Sequence, residues 1–442
     1  MLITHANIWS YDEECTIVED GAALIKDGRI AALGPTAEIG AAYAQEETLD
    51  AAGRVLAPGN ICLHTHTYGA FARGMALKDA APENFVQILE RLWWRLDRAL
   101  TLEDVRLSAL TCLVDAIRHG TTTLVDHHAS PRAIEGSLDV LAEAVEEAGL
   151  RACLCYEVTD RGGPGEARAG IAENARFARR VQKRGRGQLA ALMGLHASLT
   201  LSPQTLAEAV STAQDLGIGV HTHVAEDGAD VEDSLKHYGC RPVERLANAG
   251  AIGPNTIFAH CVHVNEGEMD ILAETGTPVA HNPRSNQNNA VGTAPVPAML
   301  ARGVRLGLGN DGFSNDMFRE MATAYLVHKA ASGDPRALPA DQVLDMAAHQ
   351  NAAVASRLLG VPLGHIVVGA AADLILLDYD PPTPVTPENL PWHVIFGLAG
   401  GMVHTTIVAG RILMRDRQIV TLDEAAIMAR AREQARQVWL RV

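Results

Sequence analysis

The sequence predicts an α/β protein with a TIM-like (β/α)8 barrel at its centre and a small β-sandwich built from both chain ends. Three observations carry this prediction. Residues 1–57 have the pattern of short strands joined by turns. Over residues 58–362, eight apolar runs alternate with amphipathic stretches. Residues 363–442 again have the pattern of short strands, followed by a final helix. Eight strand–helix units in one continuous block favour a closed barrel over an open sheet.

The two chain ends are predicted to form one domain that the barrel interrupts. Residues 22–33 have the pattern of a hairpin around Asp27-Gly28, a dipeptide typical of tight β-turns. After the barrel, residues 372–378 and 402–414 have the character of strands, and a helix is expected from about Asp423. We therefore expect domain limits at 1–57, 58–362 and 363–442.

The barrel strands are predicted from short apolar runs, several of which end in histidine or aspartate. Helix-length amphipathic stretches separate most of these runs, as in repeated βα units. The eight predicted strands are residues 60–66, 121–126, 151–156, 192–197, 219–224, 256–261, 278–281 and 305–311.

Composition and charge exclude several classes of protein. The chain has 442 residues, 48% of them hydrophobic, which argues against a disordered chain. Its formal net charge of −16 argues against non-specific binding of nucleic acid and against docking on an anionic membrane. The sequence contains no apolar run long enough to span a membrane and no pattern of a secretory signal at its start, and its seven cysteines are scattered. We expect a cytoplasmic protein.

The strongest local signal is His64-Thr65-His66 at the end of the first predicted barrel strand. Alternate residues of a strand face the same side, so both imidazoles point into the barrel. Imidazole is a common ligand of zinc, iron and similar divalent metals. Packed or surface histidines are the ordinary alternative for this pattern.

A second signal is His221-Thr-His223-Val-Ala-Glu226 at the end of the fifth predicted strand. Barrel enzymes place their chemistry at the carboxyl ends of strands, so His223 is the better ligand and His221 is expected to pack below it. Glu226 lies in the loop above the strand, where a carboxylate could reach a bound water. A solvated loop residue is the alternative for Glu226.

Two more residues complete the set. His260 ends the sixth predicted strand and Asp311 ends the eighth, where a carboxylate is costly unless it is paired or bound to a metal. Taken alone, each of these residues could equally be an ordinary buried core residue. Together, three histidines and one aspartate make a plausible metal site with a position left for water.

The same motifs, in the same order, make the chain resemble the amidohydrolase superfamily over essentially its whole length. Within it, the chain is similar to the mononuclear deaminases and dechlorinases of the triazine-hydrolase type, and most of all to the SsnA-type aminohydrolases. The motifs are Pro58–His66, Gly120–Thr123, His223–Glu226, Ala259–Cys261, His281–Asn286, Gly309–Gly312 and Ala372–Leu374.

This resemblance implies a metal-dependent aminohydrolase that converts the C–NH2 group of a heterocycle to C=O and releases ammonia. It implies His64, His66, His223 and Asp311 as metal ligands. It also implies Glu226, His260 and Asp311 as catalytic groups: Glu226 protonates the ring, while His260 and Asp311 handle the attacking water. Binuclear relatives carry a lysine at the end of strand four, where this chain has His196, so one metal per chain is expected, zinc or alternatively iron.

Candidate substrate contacts come from loops at the expected active face. They are Arg73, Trp94, His128, His196, Asn286 and Gln287. Two departures from adenosine-type relatives argue against a nucleoside substrate: Gln287-Asn288 replaces Leu-Lys, and Trp94-Arg95-Leu96-Asp97 replaces Trp-Pro-x-Glu. The sequence therefore favours a free purine, pterin, pyrimidine or triazine.

Two alternatives to the deaminase stay open. The same fold and metal site could release chloride from a ring or open a cyclic amide or amidine. A non-catalytic binding relative is a more remote alternative, because such proteins usually lose the metal-ligating residues and this chain keeps them. A homodimer or higher homo-oligomer is what the resemblance implies for assembly.

Overall fold

The computed structural model describes residues 1–77, 79–185 and 187–442. The amino-terminal segment is built of short strands and one helix, α1 (Thr36–Ala42). The strands are β1 (Leu2–Trp9), β2 (Ile17–Lys26), β3 (Arg29–Pro35), β4 (Thr48–Asp50) and β5 (Val55–Pro58). The predicted hairpin is confirmed: β2 pairs antiparallel with β3, and Asp27 and Gly28 both have positive φ, as tight hairpin turns require.

The centre of the chain is the predicted barrel of parallel strands. Its fourth strand is interrupted at Leu192, which gives nine segments for eight strands. They are β6 (Asn60–Thr65), β7 (Thr121–His128), β8 (Arg151–Tyr156), β9 (Leu189–Ala191), β10 (Met193–Ala197), β11 (Val220–Val224), β12 (Ile257–His260), β13 (Val279–His281) and β14 (Leu306–Leu308).

The barrel closes through two short bridges between its two runs of strands. One run has the order β6-β7-β8-β9 and the other the order β10-β11-β12-β13-β14. Thr65 bridges to Asp311, and Val158 bridges to Leu195. The side-chain amide of Asn351 strengthens the first junction, because it donates to the Ile61 and Leu308 carbonyls and accepts from the Leu308 amide.

Helices cover the outside of the barrel. Several of them begin at capping residues; for example, Thr101 and Asp104 form a capping box at the start of α4. The helices are α2 (Phe85–Ile88), α3 (Trp94–Ala99), α4 (Leu102–Arg118), α5 (Ser137–Ala148), α6 (Pro164–Arg184), α7 (Pro203–Asp215), α8 (Gly228–Tyr238), α9 (Pro242–Asn248), α10 (Glu266–Thr275), α11 (Pro283–Asn288), α12 (Val296–Ala301), α13 (Met317–Ser332), α14 (Ala340–Leu344) and α15 (Asn351–Leu359). Shorter helical turns lie at Thr67–Ala72, Leu89–Trp93, Ser198–Thr200, Asp345–Gln350 and Gly400–Met402.

The carboxyl-terminal segment returns to the first sheet. It contributes β15 (Leu374–Leu377), β16 (Val403–Val408), β17 (Arg411–Arg415) and β18 (Gln418–Ile419), with α16 (Leu390–Gly397) and α17 (Glu424–Arg441). The strands of both chain ends form one mixed sheet in the order β18-β17-β16-β15-β5-β1-β2-β3, with β4 beside β1. The predicted joining of the two ends is therefore confirmed, because β15 pairs directly with β5.

A buried ion pair ties this sheet to the barrel. Arg151, at the start of β8, donates from Nε to Asp373 Oδ2 at 2.6 Å and from Nη2 to Oδ1 at 2.9 Å. The domain limits at 57/58 and 362/363 stay a prediction; the first falls inside β5 and the second between α15 and β15. Within the described residues, none of the helices is both long and apolar enough to cross a membrane.

Candidate active site

Three histidines converge at the carboxyl ends of the barrel strands. His64 and His66 come from the end of β6, and His223 comes from β11. All three are buried. The period of two along a strand sends His64 and His66 to the same side of β6, as the sequence predicts.

Backbone carbonyls fix the orientation of two of these rings. The His66 Nδ1 donates to the His127 carbonyl at 2.5 Å, and the His223 Nδ1 donates to the His196 carbonyl at 2.7 Å. A carbonyl oxygen can only accept, so each Nδ1 carries the hydrogen and each Nε2 is left with a lone pair. The two Nε2 atoms face each other at 3.1 Å. Facing lone pairs at this distance require a shared cation, either a proton or a metal ion.

Asp311 brings a carboxylate to the same place. It follows β14 in a left-handed backbone conformation (φ 56°), and its Oδ1 lies 3.0 Å from His66 Nε2 and 3.7 Å from His64 Nε2. Gly309 permits this approach, since an added Cβ there would lie 2.8 Å from His64 Cβ. Ser285 Oγ donates to Oδ2 of Asp311.

These donors fit a divalent metal. The Nε2 of His64 is buried with no hydrogen-bond partner among the described residues, although its Nδ1 contacts His221 Nε2 at 3.0 Å. Burial, together with the neighbouring imidazoles, holds the pKa of His64 well below its ordinary value, so its nitrogen is a neutral donor. Three imidazoles and one carboxylate match the ligands of catalytic zinc sites. His221, which the sequence predicts to pack below His223, contacts the Nδ1 of His64 and not the Nε2 that faces the site.

A second group of residues lies beside this cluster, on the side of β11 and β12. Asn286 Oδ1 accepts from His260 Nδ1 at 2.8 Å, so His260 Nε2 is aimed at the site. That nitrogen lies 3.5 Å from Glu226 Oε2 and 3.9 Å from Asp311 Oδ2. Burial raises the pKa of Glu226 from its ordinary 4.5 to about 7, against the opposing effect of His260.

The site opens into a cavity with about 650 Å³ of atom-free space, part of it continuous with solvent. Aromatic and apolar side chains form one wall, and carboxylates and histidines form the rest, as in many small-molecule sites. The lining residues are His66, Tyr68, Phe85, Leu89, Trp93, Trp94, Asp97, Glu157, His196, Ala197, Leu199, His223, Glu226, Asp227, Asp230, Asn289 and Asp311.

The β8 side of the cavity carries a buried polar group that the sequence reasoning missed. Glu157 directly follows β8, and its carboxylate lies 3.3 Å from His127 Nδ1 and 3.7 Å from His196 Nε2. Arg161, four residues later, pairs with Asp97 at 2.6 Å and lies over the Trp94 ring. Burial alone would raise the pKa of Glu157, but the His196 and His127 imidazoles hold it well below its ordinary value. The position of Glu157 just after a barrel strand was the signal that could have found it.

The structure brings together most of the predicted site residues, but it places four of the six predicted substrate contacts outside the cavity lining. Trp94 and His196 line the cavity, whereas Arg73, His128, Asn286 and Gln287 are not among its lining residues in the described chain. Arg73 follows the turn Thr67–Ala72 and is exposed to solvent.

Local geometry explains the positions of the other three residues. His128 is adjacent to the inward-facing His127 on β7, so it faces the opposite side and contacts Ser130 Oγ at 2.8 Å. Asn286 is occupied by His260, and Gln287, the next residue of α11, points outward because neighbouring helical residues diverge by about 100°.

Comparison with known proteins extends these observations. The amidohydrolase family profile matches residues 55–413. A 5-methylthioadenosine/S-adenosylhomocysteine deaminase of Desulforudis audaxviator is 36% identical over 424 residues, 95% of each chain. A 5'-deoxyadenosine deaminase of Methanosarcina mazei is 34% identical, covering 100% of this chain and 99% of its own. A zinc-bound adenosine deaminase structure from Xanthomonas campestris superposes with a TM-score of 0.87 at 26% identity, over 100% of this chain and 98% of that one.

Proposed function

The chain belongs to the amidohydrolase family, as its motifs predict, and we propose that it hydrolyses the C–NH2 group of a nitrogen heterocycle to a carbonyl with release of ammonia. The observation that carries the proposal is the position of Glu226. This carboxyl, with a pKa of about 7, lies beside a cluster of imidazoles and a carboxylate that fits a divalent metal. A hydrolase of cyclic C–N bonds needs both features in one cavity.

The proposed metal ligands are His64, His66, His223 and Asp311, and we propose a single zinc ion. Support for one ion comes from β10, which ends at His196-Ala197 and offers no lysine for a second. When bound, a divalent ion lowers the pKa of water and so supplies a nucleophile at neutral pH.

Glu226 is proposed as the acid that protonates the substrate. Near neutral pH a large fraction of this carboxyl is protonated, so it can donate to the ring nitrogen next to the attacked carbon. Asn289 Nδ2 lies 3.3 Å from Glu226 Oε1 and holds the carboxyl toward the cavity. Protonation of the ring nitrogen makes the adjacent carbon more electrophilic.

His260 and Asp311 are proposed to handle the water and the leaving group. One water can hydrogen-bond to both His260 Nε2 and Asp311 Oδ2, which lie 3.9 Å apart. As the water adds to the ring carbon, its proton passes to Asp311 and then to the amine, which leaves as ammonia. The remaining hydroxyl proton returns to Glu226 as the carbonyl forms, so the enzyme is restored.

The substrate is proposed to be a planar aminoheterocycle, with aminopurines as the first class to test. The deaminases similar to this chain are named for adenosine-type compounds. Tyr68, Trp93 and Trp94 give the cavity an aromatic wall suited to a flat ring. A homodimer in the cytoplasm is proposed for the assembled enzyme, and light scattering after gel filtration tests the dimer.

The test is ammonia release by zinc-loaded protein against aminopurines, aminopterins, aminopyrimidines and aminotriazines, with bound metal measured on the same samples. We expect release from at least one ring and about one zinc per chain. Glu226→Gln is the matched control, since it should keep the metal and lose turnover. Silence across all rings, with zinc bound, would refute deamination; mass spectrometry of chlorinated and cyclic amide rings would then identify the alternative leaving group.

A further inference from the structure

Glu157 is a buried carboxylate in the cavity wall to which the proposed reaction assigns no role. It is only 4% exposed, and one of its oxygens lies within 4.8 Å of ring nitrogens of His66, His127 and His223. Its carboxylate is therefore close to the reacting centre, and a bound ring would contact it.

Among the described residues, no side-chain donor lies close to the carboxylate of Glu157. The nearest side-chain nitrogens are His127 Nδ1 at 3.3 Å, His196 Nε2 at 3.7 Å and Arg161 Nη2 at 3.8 Å, and His127 donates its other nitrogen, Nε2, to backbone carbonyls. Hydrogen bonds to a carboxylate from a charged donor are normally about 2.7–2.9 Å long. Arg161 makes its short contact with Asp97 instead. A buried anion with such distant partners is costly, and a ligand N–H would satisfy it.

Glu157 and Glu226 approach the histidine cluster from different sides of the barrel. Glu157 follows β8 and contacts residues of β7 and β10, whereas Glu226 follows β11 and contacts residues of β12 and the chain after β14. A flat ring bound over the cluster presents one edge to each carboxyl group.

The two carboxyl groups require different atoms from that ring. Glu226, as an acid, requires a ring nitrogen with a lone pair, and the Glu157 carboxylate requires an N–H. Both flank the attacked carbon in a cyclic guanidine, the edge NH–C(NH2)=N. In a 6-aminopurine the second neighbour of the attacked carbon is another carbon, and the nearby N7 would point a lone pair at Glu157.

We propose that Glu157 is a specificity-determining residue that accepts the ring N–H next to the attacked carbon, and that the substrate is a 2-amino-4-oxopyrimidine ring such as guanine, a pterin or isocytosine. This inference rests on the proposed deamination. It also separates this chain from relatives that act on adenosine-type compounds.

The first test compares turnover of guanine and isocytosine with that of adenine and adenosine. We expect the 2-amino-4-oxo rings to have a kcat/KM at least about 100-fold higher, and Glu157→Gln to lower that value by about tenfold or more, chiefly through KM. Glu208→Gln, the same chemical change on the exposed face of α7, should leave both values unchanged. Preference of the wild type for adenine-type rings, or an equal loss for both ring classes in Glu157→Gln, would overturn the inference while deamination stands.

The second test measures binding without turnover. The ligands are 4(3H)-pyrimidinone, which has the ring N–H, and 4-methoxypyrimidine, which lacks it; neither has an amino group to lose. Titration of zinc-loaded protein by tryptophan fluorescence should show at least about tenfold tighter binding of the pyrimidinone, and Glu157→Gln should remove most of that difference. Equal binding of the pair by the wild type overturns the role of Glu157. The failure of every ring to release ammonia would instead refute the proposed function.

Discussion

The β8 side and the β11 side of the cavity each place one buried glutamate beside the same histidine cluster, and the two glutamates have opposite pKa shifts. Glu226, on the β11 side, has a pKa raised to about 7 by burial. Glu157, on the β8 side, is also buried, but its pKa lies well below the ordinary value. Residue type and burial therefore do not by themselves determine the protonation state of these groups.

The neighbours of each glutamate explain the difference. Glu226 faces the Asp311 carboxylate as well as His260, so part of the favourable field around its anion is cancelled. Glu157 faces the imidazoles of His196 and His127, which favour its anion. Pairs of carboxyl groups separated in pKa by their surroundings commonly divide acid and acceptor roles in enzymes. We therefore expect the acid on the β11 side and the anion on the β8 side.

The largest expected effect is that of removing the acid. Glu226→Gln should lower kcat by about 10²- to 10⁴-fold, because the amide cannot deliver a proton to the ring. Bound zinc should stay at the wild-type level, measured by elemental analysis beside the steady-state rates. A larger loss of kcat in Glu157→Gln than in Glu226→Gln would reverse the assignment of the two sides.

The charge balance on the β8 side is tested by Arg161→Met. Removal of this buried cation leaves the Asp97 and Glu157 carboxylates without its positive charge. The free energy of unfolding should therefore fall by about 3–5 kcal/mol. Urea denaturation monitored by circular dichroism measures the change. The double variant with Asp97→Asn should recover part of the loss, because burial already raises the pKa of Asp97 to about 6 despite Arg161. A loss below about 1 kcal/mol would mean that the pair is in effect solvated.

The pH dependence sharpens the assignment of Glu226. Its acid form is the active one, so kcat/KM should be level below its pKa of about 7 and fall by about tenfold for each pH unit above it. The profile is measured with saturating zinc at constant ionic strength. In Glu226→Gln this descending limb should disappear, and its persistence there would point to a different titrating group.

The smallest expected effect concerns the support of His260. Asn286→Ala removes the acceptor of His260 Nδ1 and should lower kcat by about tenfold with little change in KM, as losses of such orienting partners do. Gln287→Ala, the neighbouring exposed residue of α11, is the matched control and should behave as wild type. Equal rates for Asn286→Ala and wild type would show that His260 is held by its packing alone.

Much of the fold and of the histidine and aspartate cluster was predictable because strand geometry is regular. Histidines two residues apart at a strand end must share a side, and the carboxyl ends of parallel strands meet at one rim, so His64, His66, His223, His260 and Asp311 could be placed together. Glu157 was not predicted, because it follows the apolar run Arg151–Tyr156 as a single acidic residue of the kind usually found in solvent. Its partners come from segments far apart in sequence, and pairing of this kind is visible only in three dimensions.

Several predicted substrate contacts lie outside the cavity lining for a related reason. Asn286 and Gln287 lie in a short helix, where the direction of each side chain depends on where the helix begins, and the sequence does not define that residue closely. The side-chain directions of residues on strands could be predicted more reliably. His127 and His128 show what the sequence still leaves open. Their side chains must face opposite sides of the strand, but which of the two faces inward depends on the register of that strand in the barrel.

The carbonyl groups that hold His66 and His223 have a consequence for how this enzyme could diversify. The backbone oxygens of residues 127 and 196 accept the hydrogen bonds from His66 and His223, the proposed metal ligands, while the side chain of His196 forms part of the cavity wall. Every amino acid at position 196 supplies the same oxygen. Selection can therefore alter the specificity of this wall by point mutation without loss of the bonds that orient the ligands, so that new chemistry at the wall and an inherited catalytic core can evolve separately.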